Sequence, residues 1–128
     1  MERFLSAAQA MIDRCRALAD YTEEPGFTTR TFLSEPMHAV HGCLRAWMER
    51  AGMTVDVDHA GNLRSRYAAS RPNPQRLYIG SHLDTVPRAG AFDGILGVVI
   101  VAAEGHARRA FDVAHHRRRS QHRARDRT

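Results

Sequence analysis

The sequence has no lysine, so all 19 of its strongly basic residues are arginine, a bias that reads as one of coding more than of physical design. Its two cysteines, Cys15 and Cys43, fall inside predicted helices without partner spacing. That excludes a disulfide framework and points to reduced, structural thiols. No apolar run approaches the length of a membrane span: Ile95 to Ala103 is too short and is followed by Glu104 and arginines. The opening residues Met1-Glu2-Arg3-Phe4 begin an amphipathic pattern and lack the apolar centre of a secretion signal. A cytoplasmic chain is therefore expected. At 128 residues and 43% apolar content, the chain is long enough for one globular core and too short for two.

The net charge of +5 is unevenly placed. Residues 114–128 hold six arginines and one aspartate, whereas the first 113 residues balance 13 arginines against 13 acids. A nucleic-acid-binding reading would therefore rest on the tail alone. The tail has no aromatics to stack bases and no folded basic face, although counterion release could draw it to an anionic surface.

Residues 2 to 20 place Phe4, Leu5, Ala8, Met11, Ile12 and Cys15 at intervals of three and four, followed by Leu18 and Ala19. This predicts an amphipathic helix whose apolar face packs on another part of the chain. Tyr21 to Arg30 reads as a loop around Glu-Glu-Pro-Gly. Ser34 is placed to cap a second helix with Pro36 in its first turn and a buried stripe of Met37, Val40, Leu44, Trp47 and Met48. Gly52 supplies its left-handed C-terminal position. His38 and His41 lie one turn apart on that helix and read as surface residues, having no third ligand nearby. Met53 to Asp58 alternates as a half-buried strand, and a turn through His59 and Gly61 leads to Leu63–Tyr67, predicting a hairpin. Ala68 to Arg76 is a surface loop.

The chemistry gathers in Gly80-Ser81-His82-Leu83-Asp84-Thr85-Val86 and Ala91-Phe92-Asp93-Gly94-Ile95-Leu96-Gly97-Val98. Leu77, Tyr78 and Ile79 form a β-prone run, Pro87 to Gly90 a loop, and Gly94 to Ala103 a buried helix. His82 and Asp84 would then sit at the carboxyl end of a strand and Asp93 at the entrance to a helix, the place where open α/β sheets bind ligands. An imidazole and a carboxylate there suit Zn²⁺ or another borderline divalent ion. Asp84 would accept the proton of the other imidazole nitrogen and fix the tautomer. The residues alone leave a second reading open, in which Asp93 is only a helix cap and His82 only a satisfied polar side chain.

The run GSHLDTVP followed by FDGILGVV resembles the metal-binding segment of the M20-type metal-dependent amidohydrolases. It is most similar to the branch holding allantoate amidohydrolases, N-carbamoyl-L-amino-acid hydrolases and β-ureidopropionases. Thr29-Arg30-Thr31-Phe32-Leu33-Ser34, Trp47-Met48, Ala51-Gly52-Met53 and Asp58-x-x-Gly61-Asn62 also resemble the amino-terminal part of these enzymes, with a tilt toward allantoate.

The resemblance implies an α/β fold, part of a three-layer metallopeptidase-like catalytic domain with helices on a mixed sheet. It also implies two divalent ions, Zn²⁺ or Mn²⁺, with His82 on one, Asp93 bridging both, and Asp84 in a catalytic supporting role. The implied substrate is a small linear ureide or amide whose carbon–nitrogen bond is hydrolysed. The complete enzymes are expected to be homodimers, with no membrane or nucleic-acid partner.

The resemblance runs from about residue 10 to residue 113. Beyond Phe111-Asp112-Val113 the family continues into a strand ending in Glu-Glu, one a general base and one a metal ligand. This chain instead reads into His115-His116, His122 and the arginine run, with no Glu after Glu104. The expected division is 1–113 as the amino-terminal part of the catalytic domain and 114–128 as a disordered or frameshifted basic tail. Such a chain is expected to be truncated, inactive alone, weak in metal binding and marginally stable or prone to aggregate. The alternative function is a non-catalytic protein that binds nucleic acid or an anionic surface through that tail.

Overall fold

The helix at the amino terminus, α1 (Glu2–Ala19), buries only its carboxyl-terminal part. In this computed structural model, which describes residues 1–102, the side chains of Cys15 and Leu18 are fully enclosed while Phe4 is 81% exposed. The apolar stripe is continuous in sequence, but the described residues cover only its last turns.

Helix α2 (Glu35–Arg50) buries Met37, Val40, Leu44 and Met48, the i, i+3, i+7 and i+11 positions of one face. Ser34 is its N-cap residue and Pro36 lies in its first turn, but Ser34 makes no side-chain capping bond. The helix ends in a Schellman arrangement. Gly52 adopts φ +85°, its N–H donates to Glu49 O, and the Met53 N–H donates to Met48 O.

Strands β1 (Thr54–Val57) and β2 (Leu63–Arg66) form an antiparallel hairpin, with Val55 opposite Ser65 and Val57 opposite Leu63. Asp58 closes its turn by accepting N–H bonds from Ala60 and Asn62 at 3.0 and 2.9 Å. Arg45 of α2 donates to Val55 O at 2.7 Å, fastening the hairpin to the helix. A third helix, α3, covers residues 95–102. It is amphipathic and not wholly buried: Ile95, Val99 and Ala102 face inward while Leu96 and Ile100 are partly exposed.

Leu18 of α1, Val40 and Leu44 of α2, Ile95 and Val99 of α3, and Leu83 from the connecting segment share one core. A second cluster joins Met48, Ala51 and Met53 to Ala102.

The architecture is thus α/β, helices with a small two-stranded sheet. Leu77, Tyr78 and Ile79 are not in a strand: they are 67%, 83% and 56% exposed, and no described strand lies beside them. An extended run becomes a strand only when neighbouring backbone satisfies its N–H and C=O groups, and propensity does not substitute for that. The division at residue 113, the tail with His115, His116 and His122, and Glu104 all lie outside the described residues.

Candidate metal centre

His82 and Asp93 come together although ten residues separate them in the chain. Ser81 and His82 lie against the start of α3, where the Ser81 hydroxyl donates to Gly94 O at 2.9 Å. The approach is possible because residues 94 and 97 lack side chains. A Cβ on Gly94 would collide with the carbonyl oxygen of His82 and lie 2.5 Å from its Cε1, and one on Gly97 would lie 2.5 Å from Ser81 Oγ. Gly94 also adopts φ +68°, a left-handed conformation that L side chains rarely take.

The imidazole is held in one tautomer. Its Nδ1 lies 2.8 Å from the main-chain oxygen of Asp84. A carbonyl oxygen can only accept, so Nδ1 carries the proton and donates it. Neutral His82 therefore keeps the lone pair on Nε2. That nitrogen faces Asp93 Oδ1 at 3.9 Å, too far for a hydrogen bond. The expected contact with Asp84 is thus made by its backbone, since the Asp84 carboxylate stays 3.9 Å from Nδ1. The side chains of His82, Asp84 and Asp93 are each a little more than half exposed, so the group opens to solvent.

The spacing fits one divalent ion between the two side chains. Bonds of about 2.0–2.1 Å to imidazole nitrogen and about 2.0–2.2 Å to carboxylate oxygen span at most about 4.3 Å. The observed 3.9 Å falls within that reach, and the lone-pair-bearing Nε2 is the nitrogen that faces inward. Among the described residues no third His, Cys, Asp or Glu joins them. His38 and His41 lie on α2, exposed and partly buried respectively, and His59 is exposed in the hairpin turn.

The residue that sequence reasoning missed is Arg30, noticed only as part of a matching run. Its side chain is fully buried. Nε donates to Leu83 O at 2.9 Å, and one terminal nitrogen donates to Leu18 O at 2.8 Å and Tyr21 O at 2.6 Å. Burial lowers its pKa from the ordinary guanidinium value, and the nearby Asp84 opposes that shift. A lone arginine in a loop carries no periodicity, so only the coordinates reveal that it is interior.

Comparison with known proteins places these residues in context. No protein-family model matches the chain. Over 88 residues it is 41% identical to allantoate deiminase 2 of Glycine max, covering 69% of this chain and 18% of that enzyme. It is 42% identical over 69 residues to an N-carbamoyl-L-amino-acid amidohydrolase of a Pseudomonas species, covering 54% of this chain and 17% of the relative. The crystal structure of a hydantoinase/carbamoylase family amidase from Burkholderia ambifaria superposes with a TM-score of 0.68 at 32% identity, over 83% of this chain and 26% of that one. The chain thus spans less than a fifth of the length of these curated relatives.

Proposed function

Because this chain is a homologue of the allantoate deiminases and N-carbamoyl-L-amino-acid amidohydrolases, we propose that it carries part of the active site of a hydrolase of linear ureides or amides. Allantoate is the first substrate to consider and N-carbamoyl amino acids the second. The observation that supports this best is the single-tautomer His82, with its Nε2 lone pair turned toward Asp93.

In this reading His82 Nε2 and Asp93 are ligands to divalent metal, Zn²⁺ or Mn²⁺, in a site that holds two ions when complete. Asp84 supports His82, raising the basicity of the ligand nitrogen through the bond at Nδ1. The ions supply Lewis acidity toward the carbonyl and toward water. The chain's own residues do the positioning. Gly94 and Gly97 let the His82 segment lie on α3, and the start of that helix presents Asp93.

With two ligands and an open site, this chain binds metal weakly and does not turn over substrate by itself. The remaining ligands, the general base, the rest of a three-layer domain and a homodimer interface belong to sequence of the kind that its longer relatives carry. Cytoplasmic location belongs to the same proposal, and so does the absence of a nucleic-acid partner. No helix among the described residues is long and apolar enough to cross a membrane.

Titration with Co²⁺, followed by its visible absorption, tests the assignment. Weak binding that disappears in both His82→Ala and Asp93→Asn is expected. Equal binding by all three proteins would overturn it.

A further inference from the structure

We propose that Arg30 is the positioning residue of this centre: with Thr85 it grips the backbone on both sides of Asp84, and so sets the tautomer and aim of His82. The inference rests on the reading of His82 as a ligand, and deepens it.

Two peptide groups are held. The Arg30 side chain donates through Nε to Leu83 O, fixing the peptide that precedes Asp84. The Thr85 N–H donates to the main-chain oxygen of Arg30 at 2.8 Å, fixing the peptide that follows. The Arg30 N–H returns a bond to Thr85 Oγ1 at 2.9 Å. The described chain contains no cis peptide bond. In a trans peptide the C=O and N–H point in opposite directions. Tying the Thr85 N–H to Arg30 therefore turns the Asp84 carbonyl the other way, where it receives His82 Nδ1–H.

The far end of the guanidinium is bolted to the carboxyl terminus of α1 through Leu18 O and Tyr21 O. Those acceptors and Leu83 O lie in separate segments, and a planar fork can bridge them where a single ammonium cannot. The chain thus places a buried cation where packing alone would have taken an apolar residue, and that placement is explained by the three carbonyls it joins.

The test uses the full chain and two readouts. Long-range ¹H–¹⁵N NMR at about pH 8.5, above the ordinary imidazole range, reports the His82 tautomer without metal. Co²⁺ titration reports the ligand. Wild type is expected to show Nδ1–H. In Arg30→Lys the tautomers mix and Co²⁺ affinity falls by at least about tenfold, as for supporting residues of metal ligands. Because Arg30→Lys could unfold the protein, Thr85→Val provides a gentler variant: it removes only the Oγ1 acceptor and should shift the tautomer in the same direction. Wild-type values of both readouts in a folded Arg30→Lys would mean that charge alone suffices, and would overturn the proposal. So would an unchanged tautomer in Thr85→Val where Arg30→Lys does not fold. If wild type has the Nδ1–H tautomer but binds no Co²⁺, the ligand reading fails, while the grip on Asp84 is still judged by the tautomer comparison.

Discussion

Gly94 lies directly beneath the His82 ring, so close that a Cβ would reach 2.6 Å from Nδ1 and strike the residue's own carbonyl oxygen. At Gly97 a Cβ would meet Ser81 Oγ at 2.5 Å and Ser81 Cβ at 2.8 Å; the hydroxyl can rotate away, but the Cβ moves only if the backbone shifts. Gly94→Ala should cost more than about 2 kcal/mol, from the left-handed backbone penalty and the collision with fixed backbone. Gly97→Ala should also destabilise, but less than Gly94→Ala, because Gly97 carries no left-handed backbone penalty and gains about 1 kcal/mol of helix propensity against the Ser81 clash. Urea unfolding of both variants measures the difference. Equal costs would show that His82 does not lie against Gly94.

His41 makes stability depend on pH. Burial holds its pKa below the ordinary 6.5, helped by the charges of His38, Arg45 and Arg30. The unfolded chain therefore binds the proton more readily. The contribution is present above pH 6.5 and is lost as pH falls from there toward the folded value. Unfolding midpoints should drop between about pH 7.5 and about pH 5.5, and His41→Gln should flatten that decline.

Glu23 acts lower on the scale. The Thr31 N–H and hydroxyl both donate to its carboxylate and hold its pKa below 4.5. Its folded form releases the proton more easily, so its stabilisation is present above pH 4.5 and fades below it. Replacing Glu23 with Gln should lower neutral-pH stability slightly while leaving acid stability near that of wild type, and so reduce the loss on acidification, as read by denaturant titrations at several pH values.

The two ends of α1 should respond oppositely to truncation. Leu18 is fully enclosed, and Leu18→Ala should cost roughly 2–5 kcal/mol. Phe4 is largely exposed, and Phe4→Ala should change stability by no more than about 0.5 kcal/mol. A large effect at Phe4 would mean that the first turns of α1 are covered in solution.

The exposed run at 77–79 should govern self-association. Contiguous apolar surface of this kind promotes it, so Tyr78→Lys should lower the sedimentation-measured aggregate fraction without moving the thermal midpoint. Unchanged aggregation would place the sticky surface elsewhere.

Local pattern was enough to read both long helices, the hairpin and the left-handed Gly52. Each is decided within a few residues, by spacing of apolar side chains or by one backbone angle. The pairing of His82 with Asp93 was anticipated from the motif, and 3.9 Å separates their facing atoms. What the sequence hid depends on distant partners. Leu77–Ile79 has strand propensity but no described neighbour to pair with, α1 offers a longer apolar stripe than the described residues cover, and Arg30 looks like any loop arginine until Leu83 arrives beside it. The contact of His82 with residue 84 was legible as to residue and misread as to atom, because a pattern of side chains says nothing about which carbonyl faces the ring.

The separation of Arg30 from Leu83 is 53 positions along the chain, and from Thr85 it is 55. Contacts of such span carry the entropy of closing a long loop, whereas the hairpin and the Ser81–Gly94 contact close short ones. During refolding, amides of β1 and β2 should become shielded from exchange before the Thr85 amide does. Competence to hold a ligand is then acquired at the final stage of assembly, when the two halves of the chain meet.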